Sequence, residues 1–337
     1  MLFFLGGHKG GFCVCFYDVV SIDNLLRSWQ EFLRGKRNKK DVQKFSMNLM
    51  DNIIELHHEL AGKTYKHGQY QSFRINDPKP RQIHKSPVRD RLVHHAIHRQ
   101  LHPFFDRMFI PDSFSCRVSK GTHKAINRFR SFAYKVSKNN TCTCWILKCD
   151  IRKFFENIDH EVLKEILVDH IPDKDILWLL SQVIVSFMPK KPGVGLPLGN
   201  LTSQLFVNIY MNEFDQFVKH KLKAKYYIRY SDDFIIISED KNRLENIISP
   251  IRNFLAQNLK LELHPNKISI KTLSSGVDFL GWVNFSDHRI LRTTTKRRMF
   301  NKLTKDSRPE VINSYLGLLN HGNASKLKNK IISNLSL

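Results

Sequence analysis

The stretch Tyr226-Tyr-Ile-Arg-Tyr-Ser-Asp-Asp-Phe-Ile-Ile-Ile-Ser238 places two consecutive acids between two runs of apolar residues that favour strands. This pattern predicts two antiparallel strands joined by a tight turn that contains both acids. No neighbouring residue neutralises the two carboxylates, and carboxylates held between buried strands cost electrostatic energy unless a cation offsets it. Because successive residues of a strand point to opposite faces, we expect Asp232 to face that cation more directly than Asp233.

A third acid, Asp150, ends the apolar run Trp145-Ile-Leu-Lys-Cys149, which predicts another short strand. A pair of metal ions that activates a hydroxyl and stabilises a leaving pyrophosphate needs carboxylates from separate strands. Mg²⁺ suits ligation by oxygen atoms alone. The three acids therefore predict a magnesium site. An exposed acidic turn and an unrelated acid at a strand end form the structural alternative.

The charge of the chain indicates a polyanionic partner. Its 337 residues include 54 Lys and Arg but 31 Asp and Glu, so the net charge is +23. Nucleic acid is the partner we expect, and a solubilising or membrane-facing surface is the alternative. Since the basic residues are spread along the whole chain, they suit a long groove holding a duplex better than a single basic arm.

Two further features concern the compartment. The sequence has no run of eighteen apolar residues, and its N-terminal residues fit a secretory signal poorly, so we predict a cytoplasmic protein without a membrane partner. The six cysteines include two Cys-x-Cys pairs and no Cys-x-x-Cys pair, a spacing unlike that of zinc sites. Reduced, mostly buried thiols are the better interpretation.

Helical and strand patterns are mixed along the chain. Helical spacing of apolar residues is found in segments near 21–65, 90–105, 159–168, 201–221, 242–259 and 294–334. Strand patterns are found near 70–75, 81–84, 145–150 and 225–239, and over parts of 260–282. This mixture predicts an α+β fold with an antiparallel sheet.

The acidic segments resemble two motifs of reverse transcriptases. Lys148–His160 is similar to motif A, and Tyr230-Ser-Asp-Asp233 is similar to motif C. Further landmarks of that family follow in the expected order. They are Lys79 and Arg81 in a fingers hairpin, Phe114-Ser-Cys-Arg117 with Gly121-Thr-His123, Leu196–Gln204 (motif B), His264-Pro-Asn-Lys267 (motif D) and Val277–Trp282 (motif E). An ordered set of this kind is far more specific than one motif.

The resemblance implies a right-hand polymerase fold whose palm carries the catalytic acids on an antiparallel sheet. Residues 1–20 would be an irregular leader, and a start codon placed too far upstream would explain their composition. Residues 21–145 would form the fingers with N-terminal helices, 146–290 the palm with part of the fingers interleaved near 170–205, and 291–337 a short helical thumb. We expect that tail to be too short for a maturase-like, endonuclease or RNase H extension.

The resemblance also assigns roles at the metal site. Asp150 and Asp232 would hold two Mg²⁺ ions, Asp233 would complete the acidic site, and Ile151 would offer its carbonyl oxygen. Lys267 would protonate the leaving pyrophosphate, with an ordinary surface lysine as the alternative.

Other residues would handle the incoming dNTP. Lys79 and Arg81 would bind the triphosphate, unless they belong to a solvated turn. Phe155 lies at the family's steric-gate position, where a ring would clash with a ribose 2′-hydroxyl; a core aromatic is the alternative. Ser203 and Gln204 would support the pair formed by the template and the dNTP.

The subgroup depends on a few positions. Leu198, before Gly199, stands where many retroviral and group II intron enzymes carry Gln; an apolar residue there is typical of diversity-generating retroelements, which copy a template repeat with errors at adenines. Losing the amide would loosen nucleotide selection. Glu156-Asn157 and Ser231 depart from that group and bring the chain nearer to defence-associated reverse transcriptases, which copy a dedicated non-coding RNA. Both interpretations remain open.

The implied partners are a structured non-coding or template RNA and the cDNA product, with an accessory protein or a second copy of the chain as further candidates. A catalytically silent RNA-binding protein on a polymerase fold and a DNA-templated polymerase are the competing functions. A histidine group, His94, His95, His98 and His102, lacks the acid or cysteine that would complete a metal site. We therefore expect a helix face near template RNA or in the core.

Overall fold

A computed structural model of the chain describes residues 11–76, 80–187 and 192–333. The chain divides into two compact units, each assembled from separate segments. The first unit comprises Met1–Ile110, Ile151–Phe217 and Arg252–Glu262, and the second comprises Pro111–Asp150, Val218–Ile251 and Leu263–Leu337. In the described ranges, no helix has the length and apolar character needed to cross a bilayer.

Both units contain helices. In chain order they are α1 (Phe16–Val20), α2 (Ile22–Phe32), α3 (Lys40–Met47), α4 (Leu49–Ala61), α5 (Val88–Met108), α6 (Thr122–Val136), α7 (His160–His170), α8 (Lys174–Val185), α9 (Leu201–Gln216), α10 (Lys241–Asn246), α11 (Ile248–Leu259), α12 (Thr293–Lys305), α13 (Pro309–Leu319) and α14 (Ser325–Ser333).

The strands form three antiparallel sheets. They are β1 (Gln71–Ile75), β2 (Arg81–Lys85), β3 (Trp145–Asp150), β4 (Tyr226–Tyr230), β5 (Asp233–Ser238), β6 (Ser269–Thr272), β7 (Val277–Phe279), β8 (Trp282–Asn284) and β9 (Arg289–Leu291). The first unit has the hairpin β1-β2; the second has a four-stranded sheet in the order β4-β5-β3-β6 and a three-stranded sheet in the order β7-β8-β9.

The four-stranded sheet is apolar on both faces because helices cover it. Ile228 and Ile235 belong to one core cluster with Phe129 and other residues of α6. Helix α10 contacts β3 and β5, and its Leu244 is buried. Strands buried on both faces appear in the sequence as continuous apolar runs rather than as alternation. This arrangement explains the Phe-Ile-Ile-Ile run of β5.

The first unit is built mainly from helices packed around α5 and α9. Helix α2 buries Leu25, Trp29 and Phe32, which lie on one face at helical spacing, and it contacts α5. Helix α9 is buried on most of its circumference, as expected for a central helix. This packing fixes the start of α9, which directly follows the loop that contains Leu198 and Gly199.

The mixture of helices and antiparallel strands confirms the predicted α+β class. Several local features differ from the sequence prediction. The helical pattern of residues 45–60 is broken at Asn48, whose backbone φ of −120° and ψ of 47° separate α3 from α4. Helices α6 and α8 were not predicted. Helix α8 is so apolar that the helical spacing of its buried residues is hidden in the sequence. The predicted boundaries of leader, fingers, palm and thumb remain predictions.

The cysteines are all unpaired thiols, but the prediction that they are mostly buried is wrong. Cys144 and Cys149 are buried, whereas the other four are exposed: Cys13, Cys15, Cys116 and Cys142. Cys144 immediately precedes β3 and Cys149 lies in it, and both are buried because helices cover both faces of this sheet. The exposed ones lie in turns and loops, where composition alone does not predict burial.

Candidate active site

The three acids occupy the end of the four-stranded sheet. In the antiparallel pairing of β3 with β5, Asp150 lies directly opposite Asp233, and β4 places Tyr230 opposite the same residue. The connecting turn is Ser231-Asp232, in which Ser231 has a φ of 58°. Strand register therefore brings together carboxylates that are about eighty residues apart in the chain. We refer to Asp150, Asp232 and Asp233 as the acidic site.

Asp233 is a largely buried carboxylate with a raised pKa. Burial raises its pKa to about 6; the Lys148 ammonium opposes this rise, and the neighbouring Asp150, Asp232 and Asp278 add to it. Its Oδ1 atom is buried and has no hydrogen-bond partner in the described part of the chain, while Oδ2 lies 3.7 Å from Lys148 Nζ. A concentration of negative charge with an unpartnered oxygen favours a bound cation.

The acidic site fits Mg²⁺ by the chemistry of its donors. Within residues 11–76, 80–187 and 192–333, no group of three His, Cys, Asp or Glu side chains is arranged as a ready metal cage. Mg²⁺ does not need one, because it is usually held by one or two carboxylates while waters and substrate phosphates complete its shell. The predicted metal roles of Asp150, Asp232, Asp233 and the Ile151 carbonyl remain predictions.

Lys267 reaches the acidic site from a short 3₁₀ turn, Pro265–Lys267. The Lys267 Nζ atom donates to Asp150 Oδ1 at 2.7 Å, and the backbone N–H of His264 donates to the Asp150 carbonyl at 2.8 Å. The structure therefore brings Lys267 into contact with the acidic site. Its role as a proton donor stays a prediction.

Two basic residues of the site were missed by sequence reasoning. Lys148 lies two residues before Asp150 on the same face of β3 and donates to the Asp278 carbonyl oxygen at 2.7 Å. Arg229 is fully buried in β4, and its Nη1 donates to the Ser231 carbonyl oxygen at 3.2 Å. The sequence could have indicated both, since each is a charged residue inside an otherwise apolar strand.

Arg229 also connects the turn Ser231-Asp232 to residues 112–114, the segment that precedes α6. Its backbone N–H donates to the Asp112 carbonyl at 3.0 Å, and its own carbonyl accepts from the Phe114 N–H at 2.9 Å. The Asp112 carboxylate in turn accepts from Arg128 Nε of α6 at 2.6 Å. The turn that carries Asp232 is thus bonded to Arg229 of β4, which is bonded to residues 112–114, and Asp112 is in turn bonded to Arg128 of α6.

The predicted nucleotide-handling residues lie in the first unit. The Leu196 N–H donates to the Phe155 carbonyl at 2.8 Å, and the His84 N–H of β2 donates to the Leu198 carbonyl at 3.2 Å. Gly199 has a φ of 111°, and a Cβ atom there would lie 3.2 Å from Ile83 Cγ2, so both backbone conformation and space favour glycine. The structure therefore brings β2, the Phe155 turn and the loop before α9 together.

The remaining predicted residues of this group have different exposures. Phe155 is half-buried, while its neighbour Phe154 is the core aromatic with 3% exposure. Arg81 begins β2 and is exposed, Ser203 is buried, and Gln204 is half-buried. Lys79 lies outside the described residues.

The histidines of α5 are core and near-core residues. His94 is buried. Its Nδ1 atom lies 2.7 Å from Thr202 Oγ1, and its Nε2 atom lies 3.2 Å from the Nε2 atom of His67. Burial, followed by the neighbouring cations, lowers the pKa of His95 and of His98 to about 4. His94 therefore links α5 to the first turn of α9, close to the Leu198 loop in sequence.

Comparison with known proteins identifies the family. The family model described as "Reverse transcriptase (RNA-dependent DNA polymerase)" matches residues 67–283, more than half of the chain. Protein YkfC of Escherichia coli (strain K12) is 25% identical over 246 residues, which cover 62% of this chain and 62% of YkfC. Group II intron-encoded protein LtrA of Lactococcus lactis subsp. cremoris is 24% identical over 294 residues, covering 66% of this chain and 47% of LtrA.

Among solved structures, apo telomerase from Candida tropicalis matches with a TM-score of 0.52 and 14% identity, over 69% of this chain and 50% of that chain. At this identity the similarity shows the fold alone, and it confirms the predicted polymerase fold. The chain spans less than two thirds of the length of each of these proteins. With a family model that covers most of its length and a matching fold, the chain belongs to the reverse transcriptase (RNA-dependent DNA polymerase) family.

Proposed function

We propose that this chain synthesises DNA on an RNA template by adding dNTPs to the 3′-hydroxyl of a primer. The observation that carries the proposal is the pairing of Asp150 with Asp233 at the end of β3 and β5, where a buried carboxylate oxygen lacks a hydrogen-bond partner among the described residues. Family membership supplies the reaction class, and the acidic site supplies the groups that the reaction requires.

Asp150 and Asp232 are the residues we expect to hold two Mg²⁺ ions, with Asp233 and the Ile151 carbonyl completing the ligand set. When bound, the ions would activate the attacking hydroxyl and neutralise charge on the departing pyrophosphate. The chain's own part is to hold the carboxylates in register, and β3, β5 and the Arg229 bond to Ser231 do so.

Lys267 is the proton donor we expect for the pyrophosphate. Its Nζ lies 2.7 Å from Asp150 Oδ1, so the amine group is already beside the acidic site. An ammonium group can stabilise a leaving oxyanion by charge and by transferring its proton as the bond breaks. The short turn Pro265–Lys267 fixes where the side chain starts, which limits the positions its amine can reach.

Phe155, Leu198 and Gly199 are the residues we expect to select the incoming nucleotide, and Lys79 and Arg81 to bind its triphosphate. The half-buried Phe155 ring is not a core aromatic, which supports a steric gate against the ribose 2′-hydroxyl. Leu198 is held through its carbonyl by β2. Ser203 and Gln204, in the first turn of α9, would support the template base.

The biological role we propose is the copying of one dedicated structured RNA, either in a diversity-generating retroelement or in an anti-phage defence system. Leu198 supports the first role, whereas Ser231 and Glu156-Asn157 support the second. Sequencing of the cDNA made in expressing cells separates them. Adenine-biased errors would indicate diversification, and a faithful or repetitive copy of a small RNA would indicate defence.

The activity itself is tested by primer extension on an RNA template with Mg²⁺ and dNTPs. We expect the wild-type chain to extend the primer and Asp232→Asn to reduce extension by at least ~10²-fold, because one metal-binding carboxylate is lost. Glu239→Gln, which removes an exposed carboxylate at the far end of β5, is the matched control. Equal extension by wild type and Asp232→Asn would refute the proposal, as would RNA binding with no extension by any variant.

A further inference from the structure

A second polar surface in the second unit lies between α6 and the turn that joins β8 to β9. On α6, His123, Asn127, Arg130 and Tyr134 follow each other at spacings of four, three and four residues, so they share one exposed face. A narrow pocket lies beside this face and is lined in part by Arg130, Tyr134, Phe285, His288 and Arg289. We call these five residues the arginine pocket.

The two guanidinium groups of the arginine pocket form no ion pair with an acid of the described residues. Arg289 Nη2 donates to Asn127 Oδ1 at 2.7 Å, but Nη1 is buried without a hydrogen-bond partner among the described residues. In the same ranges, no carboxylate forms an ion pair with Arg130 or Arg289. Burial first, and then the nearby Arg130 charge, lower the pKa of Arg289. A buried N–H without an acceptor, next to a second cation, favours a bound anion.

Aromatic rings lie beside the guanidinium groups. Phe285 and His288 stack with ring centroids 4.7 Å apart and planes inclined by 13°, and the His288 side chain keeps 37% of its surface exposed. The Phe285 ring is held in place from its edge, since a Cβ atom at Gly276 would lie 2.7 Å from its Cε1. The Tyr134 side chain on α6 is 50% exposed. Partly exposed aromatic rings next to neighbouring arginines are a combination that binds unpaired nucleotides.

The arginine pocket is separate from the residues assigned to catalysis. The Leu280-Gly281 turn, in the segment similar to motif E, precedes β8, while the turn that carries Phe285 and His288 follows β8. The two turns therefore lie at opposite ends of the same strand. None of the residues that line the pocket belongs to the acidic site.

We infer that the arginine pocket binds a nucleotide of single-stranded RNA, with a phosphate between Arg130 and Arg289 and the base stacked on His288. The inference rests on the proposed function, since it concerns the RNA that a reverse transcriptase would copy. It adds an anchor outside the acidic site, which would hold a structured RNA while its template region moves past the catalytic acids. An RNA held at two places leaves less often than one held at the template alone.

The test uses the full chain and a fluorescein-labelled single-stranded RNA of twenty mixed-sequence nucleotides. Its affinity is measured by anisotropy at several salt concentrations for wild type, R130Q/R289Q and the control K124Q/K135Q. The control removes the same charge from exposed positions of the same helix. We expect R130Q/R289Q to bind the RNA about tenfold more weakly than wild type. The decrease of its affinity with rising salt concentration should be smaller, by the equivalent of about one phosphate contact. The affinity of the control should stay within about twofold of wild type. Equal losses in both double variants would overturn the inference.

A second measurement does not depend on the folding of any variant. The same RNA carrying 4-thiouridine is cross-linked to the wild-type chain, and the attached peptides are mapped. We expect attachment within residues 285–289 or at Tyr134, and cross-links confined to other segments would overturn the inference. Competition by AMP and by inorganic phosphate identifies the ligand: displacement by either at equal micromolar concentration would indicate a small-molecule site and overturn the assignment to RNA.

Primer extension on preformed poly(rA)–oligo(dT) separates this inference from the proposed function. We expect R130Q/R289Q to extend that short primer at a rate within about twofold of wild type, because no residue of the acidic site is altered. A wild-type chain that binds RNA through the pocket but extends no primer would refute the polymerase proposal alone. If the wild-type chain is active but R130Q/R289Q binds RNA as tightly as wild type, the inference about the arginine pocket alone would be refuted.

Discussion

The acidic site and the arginine pocket both belong to the second unit, and each contains a buried polar atom that lacks a partner in the described ranges. In the acidic site this atom is an acceptor, Asp233 Oδ1; in the pocket it is a donor, Arg289 Nη1. A buried acceptor amid carboxylates favours a cation, and a buried donor beside a second guanidinium favours an anion. If both proposals hold, one scaffold would bind metal ions in one place and RNA phosphate in another.

The two sites also differ in how they are stabilised without a ligand. Lys148 and Lys267 approach the carboxylates of the acidic site, so part of its charge is balanced within the chain. No carboxylate of the described residues pairs with the two arginines of the pocket, which rely on Asn127 and on solvent exposure of Arg130. We therefore expect the acidic site to respond more strongly than the pocket when one of its charges is removed.

The largest effect is expected for Asp233→Asn, which removes the charge but keeps the shape. Activity in primer extension should fall by at least ~10²-fold, because a carboxylate of the metal site is lost. Folded stability should rise: burial raises the pKa of Asp233 to about 6, so at pH 7.5 the folded chain carries an unfavourable charge that Asn lacks. Thermal unfolding at pH 7.5 should show a gain of ~1–2 kcal/mol.

The stability gain should fade as the pH falls below about 6, where folded Asp233 takes up a proton and becomes neutral like Asn. Glu239→Gln, at an exposed carboxylate, should leave both stability and activity near wild type. Loss of stability in Asp233→Asn at pH 7.5 would mean that the carboxylate is satisfied in the folded chain, and the contrast with Arg289 would no longer hold.

Lys267→Met is expected to have the second-largest effect. It removes the ammonium that bonds Asp150 Oδ1 at 2.7 Å and with it the expected proton donor, so kcat should fall by roughly 10–10²-fold with little change in KM for dNTP. The control is Lys271→Met, which removes an exposed lysine of β6. Lys267→Arg should restore charge but little proton transfer, whereas a full return of kcat would show that only charge matters.

The strands that carry the three acids could be predicted from the sequence because each is a continuous apolar run next to an acid. Asp232 and Asp233 lie within one hairpin, and Asp150 ends the only other strand-like run with a terminal acid in the motif order. Lys267 was found through the resemblance, and the structure places it against Asp150. Phe155, Leu198 and Gly199 were identified individually, but the backbone bonds from Leu196 to Phe155 and from His84 of β2 to Leu198 were not predicted, since hydrogen bonds between distant backbone segments leave no pattern in side-chain chemistry.

The arginine pocket could not be predicted in the same way. Arg130 and Arg289 are separated by more than 150 residues, and α6, which carries one of them, was not recognised as a helix. In a chain with 54 Lys and Arg, no single arginine is conspicuous. What distinguishes these two is the lack of a partner for a buried N–H, and that property exists only in the folded chain.

A third group of polar residues in the molecule, the buried and half-buried histidines of α5, differs from both sites because burial favours the neutral form of its side chains. Burial lowers the pKa of His98 to about 4, while an unfolded histidine titrates near 6.5. Between these values the unfolded chain binds a proton that the folded chain does not, so stability should fall as the pH drops from about 6.5 towards 4.

His98→Gln should reduce that pH dependence, giving ~1 kcal/mol less loss of stability between pH 7 and pH 5 than wild type. The measurement is thermal or urea unfolding at both pH values. His58→Gln, which alters an exposed histidine of α4 in the same unit, should leave the dependence unchanged. Identical pH dependence in wild type and His98→Gln would show that this histidine is hydrated or paired when the chain is folded.

The smallest effect is expected for Leu198→Gln. This substitution changes no charge, so it tests nucleotide selection separately from the charged groups of the two sites. Leu198 contributes a carbonyl bond to His84 of β2, and Gln preserves that backbone bond while adding an amide. The extra polar contact near the incoming nucleotide should lower misincorporation by a few-fold, roughly 2–5-fold at adenines, without changing the extension rate. Product sequencing after primer extension by the two proteins gives the error rate directly.

Leu198→Met, which conserves volume and lacks the amide, is the matched control, and its error rate should equal that of wild type. Unchanged errors in Leu198→Gln would remove the physical basis for an error-prone enzyme and leave the copying of a dedicated RNA for defence as the better-supported role.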